Sequence, residues 1–447
     1  MLNDSTARAR YAGGSVGLIN GVYDVYDLLE PLNYDGYALT IKGGSVDTPT
    51  LISAVTTGGA VIQCDNGAGS YGGGNTLGPS VIGLLEEHTT IRGLKFTGHT
   101  RRGICVGNAS GIQEPTREGI IIEDNEFTNF HGESGALVAD LNISQIELND
   151  SLGTIIRNNW FHDNIGYVAN SADHFSALEV WSARDCIFEY NTVEDQAGGF
   201  MGKAQNEDTC SNIFRYNYID LSTGTAANPV GIFGWNEGDF HQANVGRSAT
   251  KIYNNVIIAR YPIMLRNVYL DTRTTRIFHP VEIYNNTLVV PSGGSVGCVV
   301  IVDASALASV YNNIITRVSG SADLEGFYHA TALLQSLIDY NHHYQVSGTR
   351  NYVTSPGYDG SSRNNHSGLA AFATAMGNNS NGTTIDQNGD GSGTDPLFVG
   401  VGARALFYQL DTGSPCIDAG STDGTTGGSA CDQGAWGESV TRIGSDI

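Results

Sequence analysis

The sequence predicts an all-β chain wound as a parallel β-helix, with asparagine-containing bends and long loops. Three observations predict it. Fifty-eight glycines, eleven prolines and only 15% charged residues in 447 favour many tight turns over solvated helices. The apolar segments are β-branched and aromatic, as strands prefer. A short fragment built around one asparagine also recurs along the chain.

The elements follow in order. Residues 1–80 form opening coils and a cap, residues 81–345 a central parallel β-helix, and residues 346–447 the last coils and a closing segment. Ile91-Arg-Gly-Leu-Lys-Phe96 opens the repeat without the asparagine. Ile122-Glu-Asp-Asn125-Glu-Phe127, Ile156-Arg-Asn-Asn159-Trp-Phe161, Phe188-Glu-Tyr-Asn191-Thr-Val193 and Phe214-Arg-Tyr-Asn217-Tyr-Ile219 continue it. Ile252-Tyr-Asn-Asn255-Val-Ile257, Ile283-Tyr-Asn-Asn286-Thr-Leu288 and Val310-Tyr-Asn-Asn313-Ile-Ile315 follow, and Ile338-Asp-Tyr-Asn341 closes the series. Successive asparagines lie 26 to 38 residues apart. Such spacing is too irregular for a propeller blade, and the segments between carry no helical period. It suits a constant cross-section from which loops of variable length emerge.

The recurring asparagine is expected to do two things. It tolerates the left-handed backbone of a sharp bend. Its carboxamide can also bond backbone groups of neighbouring coils, so that polar atoms inside the stack are satisfied.

The long strand after each loop can be aligned on the small or bend-forming residue that starts it. Four central coils then read Ala177-Leu-Glu-Val-Trp181, Gly199-Phe-Met-Gly-Lys203, Gly231-Ile-Phe-Gly-Trp235 and Pro262-Ile-Met-Leu-Arg266. Strand side chains alternate faces. Leu178, Val180, Phe200, Ile232, Ile263 and Leu265 therefore point into the core. Glu179, Met201, Phe233 and Met264 point outward, and so do Trp181, Lys203, Trp235 and Arg266. Indole faces stack on sugar rings, and lysine or arginine can neutralise a uronate carboxylate. The outward row therefore predicts a glycan-binding groove, with Lys203 between two tryptophans. Loops that cover the row, with cation–π contacts beneath them, are the alternative.

These repeats resemble the right-handed parallel β-helix superfamily of pectate-lyase-like proteins. "GGSVGLINGVYDV" with "ALTIKGGSVDTPTLISA" is similar to the opening segment of secreted polysaccharide-degrading β-helices. "TDPLFVG" with "GSPCIDAGSTDGTTGGSACDQGAWGE" is similar to their closing segment. "GGFMGKAQ…NIFRYNYID" resembles β-helix lyases of the alginate-lyase and chondroitinase-B type. In those lyases a strand lysine acts as base, and Lys203 matches it. That family carries an arginine followed by His-Gly on the next coil, where this chain has Gly234-Trp235-Asn236.

The resemblance implies an extracellular or cell-surface enzyme that cleaves a uronic-acid polysaccharide by β-elimination. Neutralising the C6 carboxylate acidifies the C5 proton, and a lysine whose pKa is lowered by its surroundings removes it. Arg266, one coil further along and roughly 9.6 Å from Lys203 by two interstrand spacings, is expected to bind a carboxylate in an adjacent subsite, with Trp181, Trp235, Glu179 and Tyr261 binding sugar. His241 is the expected proton donor to the leaving oxygen; His174 and Tyr261 are further candidates. A Ca²⁺ ion is a possible neutraliser, held by Glu237 and Asp239. Asp386, Asn388 and Asp390 resemble the first half of a Ca²⁺ loop whose twelfth position is Leu397 rather than an acid. Two other functions are open: an inverting glycoside hydrolase using outward carboxylates such as Glu179 and Asp140, or a non-catalytic glycan-binding or tail-type protein.

A net charge of −23 argues against nucleic acid as the partner. No apolar run approaches the ~20 residues of a membrane span. The start "MLNDSTARARYAGG" has no apolar h-region, which suggests either a removed signal or release by another route such as a virion. Seven cysteines show neither CxxC nor metal-ligand spacing, so buried thiols are expected, with one disulfide such as Cys416–Cys431 open. No coiled-coil heptads point to a particular oligomer.

Overall fold

The computed structural model describes residues 15–24, 37–41, 43–63, 80–84, 87–98, 102–107, 117–129, 143–149, 151–164, 175–181, 183–204, 211–223, 229–236, 248–267, 281–291, 296–301, 308–317, 324–329, 337–345, 350–354, 364–367, 370–371, 374, 394–399 and 408–420. Nearly every described strand is parallel to its neighbours, and each coil visits three sheets in turn. Thr89–Arg92, Leu94–Thr97 and Arg102–Val106 make one such coil. Ile121–Glu123, Glu126–Thr128 and Ile143–Leu148 make the next.

The chain divides into two compact units, Met1–Asn212 with Thr223–Pro229 and Ile447, and Ile213–Ser222 with Val230–Asp446. In the first unit, each sheet contributes one apolar file to the core. Ile52, Ile91, Ile122, Ile156 and Phe188 follow in register on the first sheet. Ile62, Phe96, Phe127, Phe161 and Val193 do so on the second. Ile82, Ile104, Ile146, Leu178 and Phe200 do so on the third. All of these side chains are buried. Phe96, Phe127 and Phe161 stack with centroids 4.9 Å apart, close to the interstrand spacing, so like residues in one file pack face to face. At roughly 1.5–3 kcal/mol per buried side chain, such files are the main stabilising force of a coil.

The second unit repeats the plan. Phe214, Ile252, Ile283, Val310 and Ile338 share a register position on its first sheet. Ile219, Ile257, Leu288 and Ile315 do so on its second. On the third, Ile232 and Ile263 pair, then Val299 and Phe327. Its last parallel third-sheet strand, Arg350–Thr354, pairs antiparallel with Asn364–Ser367, which ends that sheet. Residues 15–24 and 37–41 already pair as a coil in the first unit.

The asparagines form ladders at the bend between first and second sheets. Asn125 donates through Nδ2 to the Ile91 carbonyl and to Asn159 Oδ1, both at 3.1 Å. Asn159 does the same with the Ile122 carbonyl (2.9 Å) and Asn191 Oδ1 (3.1 Å). In the second unit the ladder runs through Asn217, Asn255, Asn286, Asn313 and Asn341. Where Leu94 stands at the asparagine position, its backbone N–H still donates to Asn125 Oδ1 at 3.0 Å.

The bend itself differs from the expectation. The ladder asparagines are not the left-handed residues. The residue before each one is: Asp124, Asn158, Tyr190, Tyr216, Asn254, Asn285, Asn312 and Tyr340 have φ between 52° and 58°. The carboxamide must point inward along the stack, and the preceding residue makes the turn that aims it. Gly93, with φ of 68°, serves that purpose before Leu94.

Candidate functional site

The third sheet of the first unit carries a buried charged cluster. Cys105, Glu147, Glu179 and Met201 occupy equivalent positions on successive strands. They alternate with the core file, so they lie on the opposite face of the sheet. All four are nonetheless buried, and Glu179 has no exposed surface. Arg102 Nε donates to Glu147 Oε2. Asn149 Nδ2 donates to Glu147 Oε1 at 2.9 Å. Burial opposes the charge of Arg102, but the attraction of Glu147, and then of Cys105 and Glu179, outweighs it and holds the guanidinium pKa above its usual value. Adjacent rungs lie roughly 4.8 Å apart, so the guanidinium that bonds Glu147 also attracts Glu179 through space.

Glu179 was expected on an exterior, sugar-facing row. Its burial beneath that face corrects the expectation: alternation sets the side of the sheet, and only the tertiary structure sets what covers that side. Among the described residues of this face, the charge of Glu179 is answered by Arg102, from two coils away.

The predicted row falls into two parts. In the first unit, Leu178, Glu179 and Val180 pair with Phe200, Met201 and Gly202. Trp181 and Lys203 are the next residues of those two chains. Trp181 is partly exposed, and its backbone N–H donates to the Leu148 carbonyl at 2.9 Å. In the second unit, Gly234 pairs with Leu265 and Trp235 with Arg266. The alignment made on the small starting residues holds within each unit. A Cβ on Gly231 would stand 2.3 Å from the Ile257 side chain and 2.6 Å from the Pro262 carbonyl, which is why a small residue begins this strand. Tyr261 pairs with Val230 and is partly exposed, with the Arg260 guanidinium 5.9 Å from its ring centroid. His174, His241, Glu237, Asp239, Asp140, Asp386, Asn388, Asp390 and Cys431 lie outside the described residues. Cys105, Cys186 and Cys416 are buried, and burial pushes the Cys186 thiol up to about 12.

Two further networks went unread in the sequence. On the second sheet, Lys95 Nζ lies 2.6 Å from Glu126 Oε1, and His162 Nε2 donates to the same oxygen at 3.0 Å. His162 Nδ1 meets Asp163 Oδ2 at 2.7 Å, and the Trp160 indole stacks on the imidazole at 3.6 Å. Burial alone would raise the Glu126 pKa, but the hydrogen bonds from His162 and Lys95 win and hold it down. Lys95, Glu126 and Trp160 each follow the bend by the same step, so aligning the second strands as the third were aligned would have found them. On the first sheet of the second unit, Tyr253, Tyr284 and Tyr311 stack at 4.8 and 5.0 Å with their ring planes nearly parallel. Their inner faces are covered by one another, which leaves no gap in which a sugar ring could stack.

Among the described residues, no helix is long and apolar enough to cross a membrane. The family model described as "right handed beta helix region" matches residues 80–229. Among solved structures, pectate lyase Pel9A is 14% identical, with a TM-score of 0.48 over 97% of this chain and 90% of that one. An alginate lyase from Paenibacillus sp. str. FPU-7 is 16% identical, with a TM-score of 0.43 over 70% of this chain and 92% of that one. The A-module of the Azotobacter vinelandii mannuronan C-5 epimerase AlgE6 is 14% identical, with a TM-score of 0.46 over 77% and 82% of the two chains. The curated proteins contain no match. Three parallel sheets visited once per coil, joined at one bend by an asparagine ladder, agree with the matched family model: the described strands have the architecture of a parallel β-helix, and residues 80–229 match its right-handed class.

Proposed function

We propose that this protein is an extracellular enzyme acting on a uronic-acid polysaccharide, and that it cleaves by β-elimination with Lys203 as base. The observation that carries the reading is the register of Trp235 with Arg266 on adjacent third-sheet strands. A tryptophan and an arginine at paired positions of adjacent strands are residue types suited to a sugar ring that bears a carboxylate. On the third sheet of the first unit, Trp181 and Lys203 follow the paired residues Val180 and Gly202, which supports an equivalent tryptophan–lysine register there.

In the proposed reaction, a cationic group neutralises the C6 carboxylate and so lowers the pKa of the C5 proton. Lys203, as the neutral amine, takes that proton. The electron pair forms the C4–C5 double bond, and the C4–O bond breaks with the leaving oxygen protonated. Tyr261 and His241 are the proposed donors of that proton. Ca²⁺ at Glu237 and Asp239 belongs to the proposal as an additional neutraliser; activity that falls on chelation and returns with added Ca²⁺ would support it. The burial of Glu179 beside Arg102 favours elimination over the hydrolase reading, which needs that carboxylate open to water and substrate.

The test is incubation with alginate, pectate, chondroitin and neutral glycans, following unsaturated ends by ultraviolet absorbance alongside reducing ends. Unsaturated ends from one polyuronate are expected, and Lys203→Ala should abolish them while the circular dichroism and melting curve stay unchanged. Reducing ends without unsaturation indicate a hydrolase. Binding without cleavage indicates a glycan-binding protein. Full activity in Lys203→Ala would remove Lys203 from the chemistry.

A further inference from the structure

We propose that Glu87, His88 and Glu118 form a binding site for a divalent transition-metal ion of the Zn²⁺ class, one that ties two successive coils together. The site lies in the first unit, at the turn that leads into the first sheet. Glu87 and His88 precede the strand Thr89–Arg92, and Glu118 precedes Ile121–Glu123 on the next coil. His88 Nε2 stands 3.9 Å from Glu87 Oε2 and 3.9 Å from Glu118 Oε1. One donor atom from each of the three residues can be chosen so that all lie within 4.8 Å of one another. A separation of 3.9 Å is too long for a hydrogen bond. It is close to the separation of two atoms that share one ion, since Zn–N and Zn–O distances are about 2.0–2.2 Å.

Backbone features fix the imidazole where a ligand must be. The His88 N–H donates to the Glu118 carbonyl at 2.8 Å, which joins the two coils at the site. His88 itself has φ of 50°, a left-handed conformation that aims its side chain away from the strand path. The ring then lies against Gly119. A Cβ there would stand 2.2 Å from His88 Nδ1, and the φ of 69° also suits glycine. Glycine next to a ligand residue thus leaves the space the ring occupies. The imidazole is largely shielded, with its side chain 17% exposed, whereas Glu87 and Glu118 are 47% and 56% exposed. The carboxylates can therefore close by a few tenths of an ångström without disturbing the core.

The donor set selects the ion. One imidazole with two carboxylates suits Zn²⁺ and its neighbours, while Ca²⁺ takes six to eight oxygen ligands and has little use for nitrogen. Three protein ligands leave a position for water. An imidazolium lying between two carboxylates, with no metal, is the competing account.

The experiment uses the full chain stripped with chelator and titrated with ZnCl₂, with CaCl₂ and MgCl₂ as controls, followed by calorimetry and by thermal unfolding. One saturable Zn²⁺ site that raises the melting temperature is expected, with no comparable effect of Ca²⁺ or Mg²⁺. His88→Ala and Glu118→Gln should each weaken that site by at least ~10-fold. Should His88→Ala not fold, Glu118→Gln decides the matter, since its side chain is 56% exposed. Co²⁺ bound at the same site should give a visible absorption that both variants lose. The proposal is overturned if no saturable site is found, or if Glu118→Gln binds Zn²⁺ as the unchanged protein does. It is equally overturned if Glu118→Gln lowers the melting temperature in metal-free buffer while Zn²⁺ shifts neither form, the mark of a bare ion pair. These readouts do not depend on the polysaccharide reaction, so either can fail alone.

Discussion

Asn286 shows how much one side chain holds in a stacked coil. Its Oδ1 accepts from the backbone N–H and from Nδ2 of Asn255, both at 3.0 Å. Its Nδ2 donates to the carbonyls of Ile252 and Tyr284 and to Asn313 Oδ1. The residue is fully buried, so replacing it with alanine strands donors and acceptors that water cannot reach. Each such group costs about 1–3 kcal/mol, and Asn286→Ala should therefore lose at least ~2 kcal/mol in urea unfolding. Asn285→Ala, one residue earlier, should act by another route: it places alanine at φ of 52°, a backbone penalty of roughly 1–2 kcal/mol, and leaves the ladder intact. A loss from Asn285→Ala equal to that from Asn286→Ala would mean that the bend, and not the carboxamide ladder, dominates. Sequence repetition marked both positions, but it assigned the left-handed conformation to the wrong one of the pair. Asparagine occurs at both positions in several coils, and composition alone cannot separate two roles that favour the same residue.

At the scale of the sheet, electrostatics is decided across rungs. The third sheet buries Glu147 between Arg102 and Asn149, with Glu179 one rung on. Removing one partner of a buried pair leaves an uncompensated charge, so Arg102→Met should cost about 3–5 kcal/mol. Glu147→Leu combined with Arg102→Met should recover part of that loss, because the desolvation of both charges is removed together. Thermal or urea unfolding of the two single variants and the double variant closes the cycle. A double variant as unstable as the sum of the singles would show that Arg102 acts mainly through Glu179. This cluster was legible only in part. Alternation along Ala177–Trp181 placed Glu179 on the face away from the core, but Arg102 precedes the first asparagine repeat, at Asn125, and no pattern ties it to position 147. The same holds for His162 with Glu126 and for His88 with Glu118. Coil neighbours are separated by whatever length the intervening loop has, so no fixed spacing betrays a charged pair.

At the scale of the whole chain, the net charge of −23 opposes the approach of a polyanion. Screening should relieve that repulsion. Between roughly 10 mM and 150 mM salt the Debye length falls from about 30 to about 8 Å, so kcat/KM on a polyuronate should rise over that range. Initial rates at low substrate, measured against NaCl concentration, check this. A steady fall instead would assign recognition to a local cationic row strong enough to override the global charge.

What the sequence determined by itself was the coil. The asparagine repeat and the apolar alternation around it are local patterns, and their meaning does not depend on which residues lie nearby in space. The three core files and the pairing of Trp235 with Arg266 follow from them. What only the tertiary structure decided was which polar side chains meet across unequal positions: Arg102 with Glu147, His162 with Glu126, and His88 with Glu118. The physical reason is that burial in a solenoid needs only a hydrophobic residue at each inward position, which every coil can supply independently. A charge needs a partner within a few ångströms, and that partner comes from another coil, at a distance along the chain set by loops that vary freely.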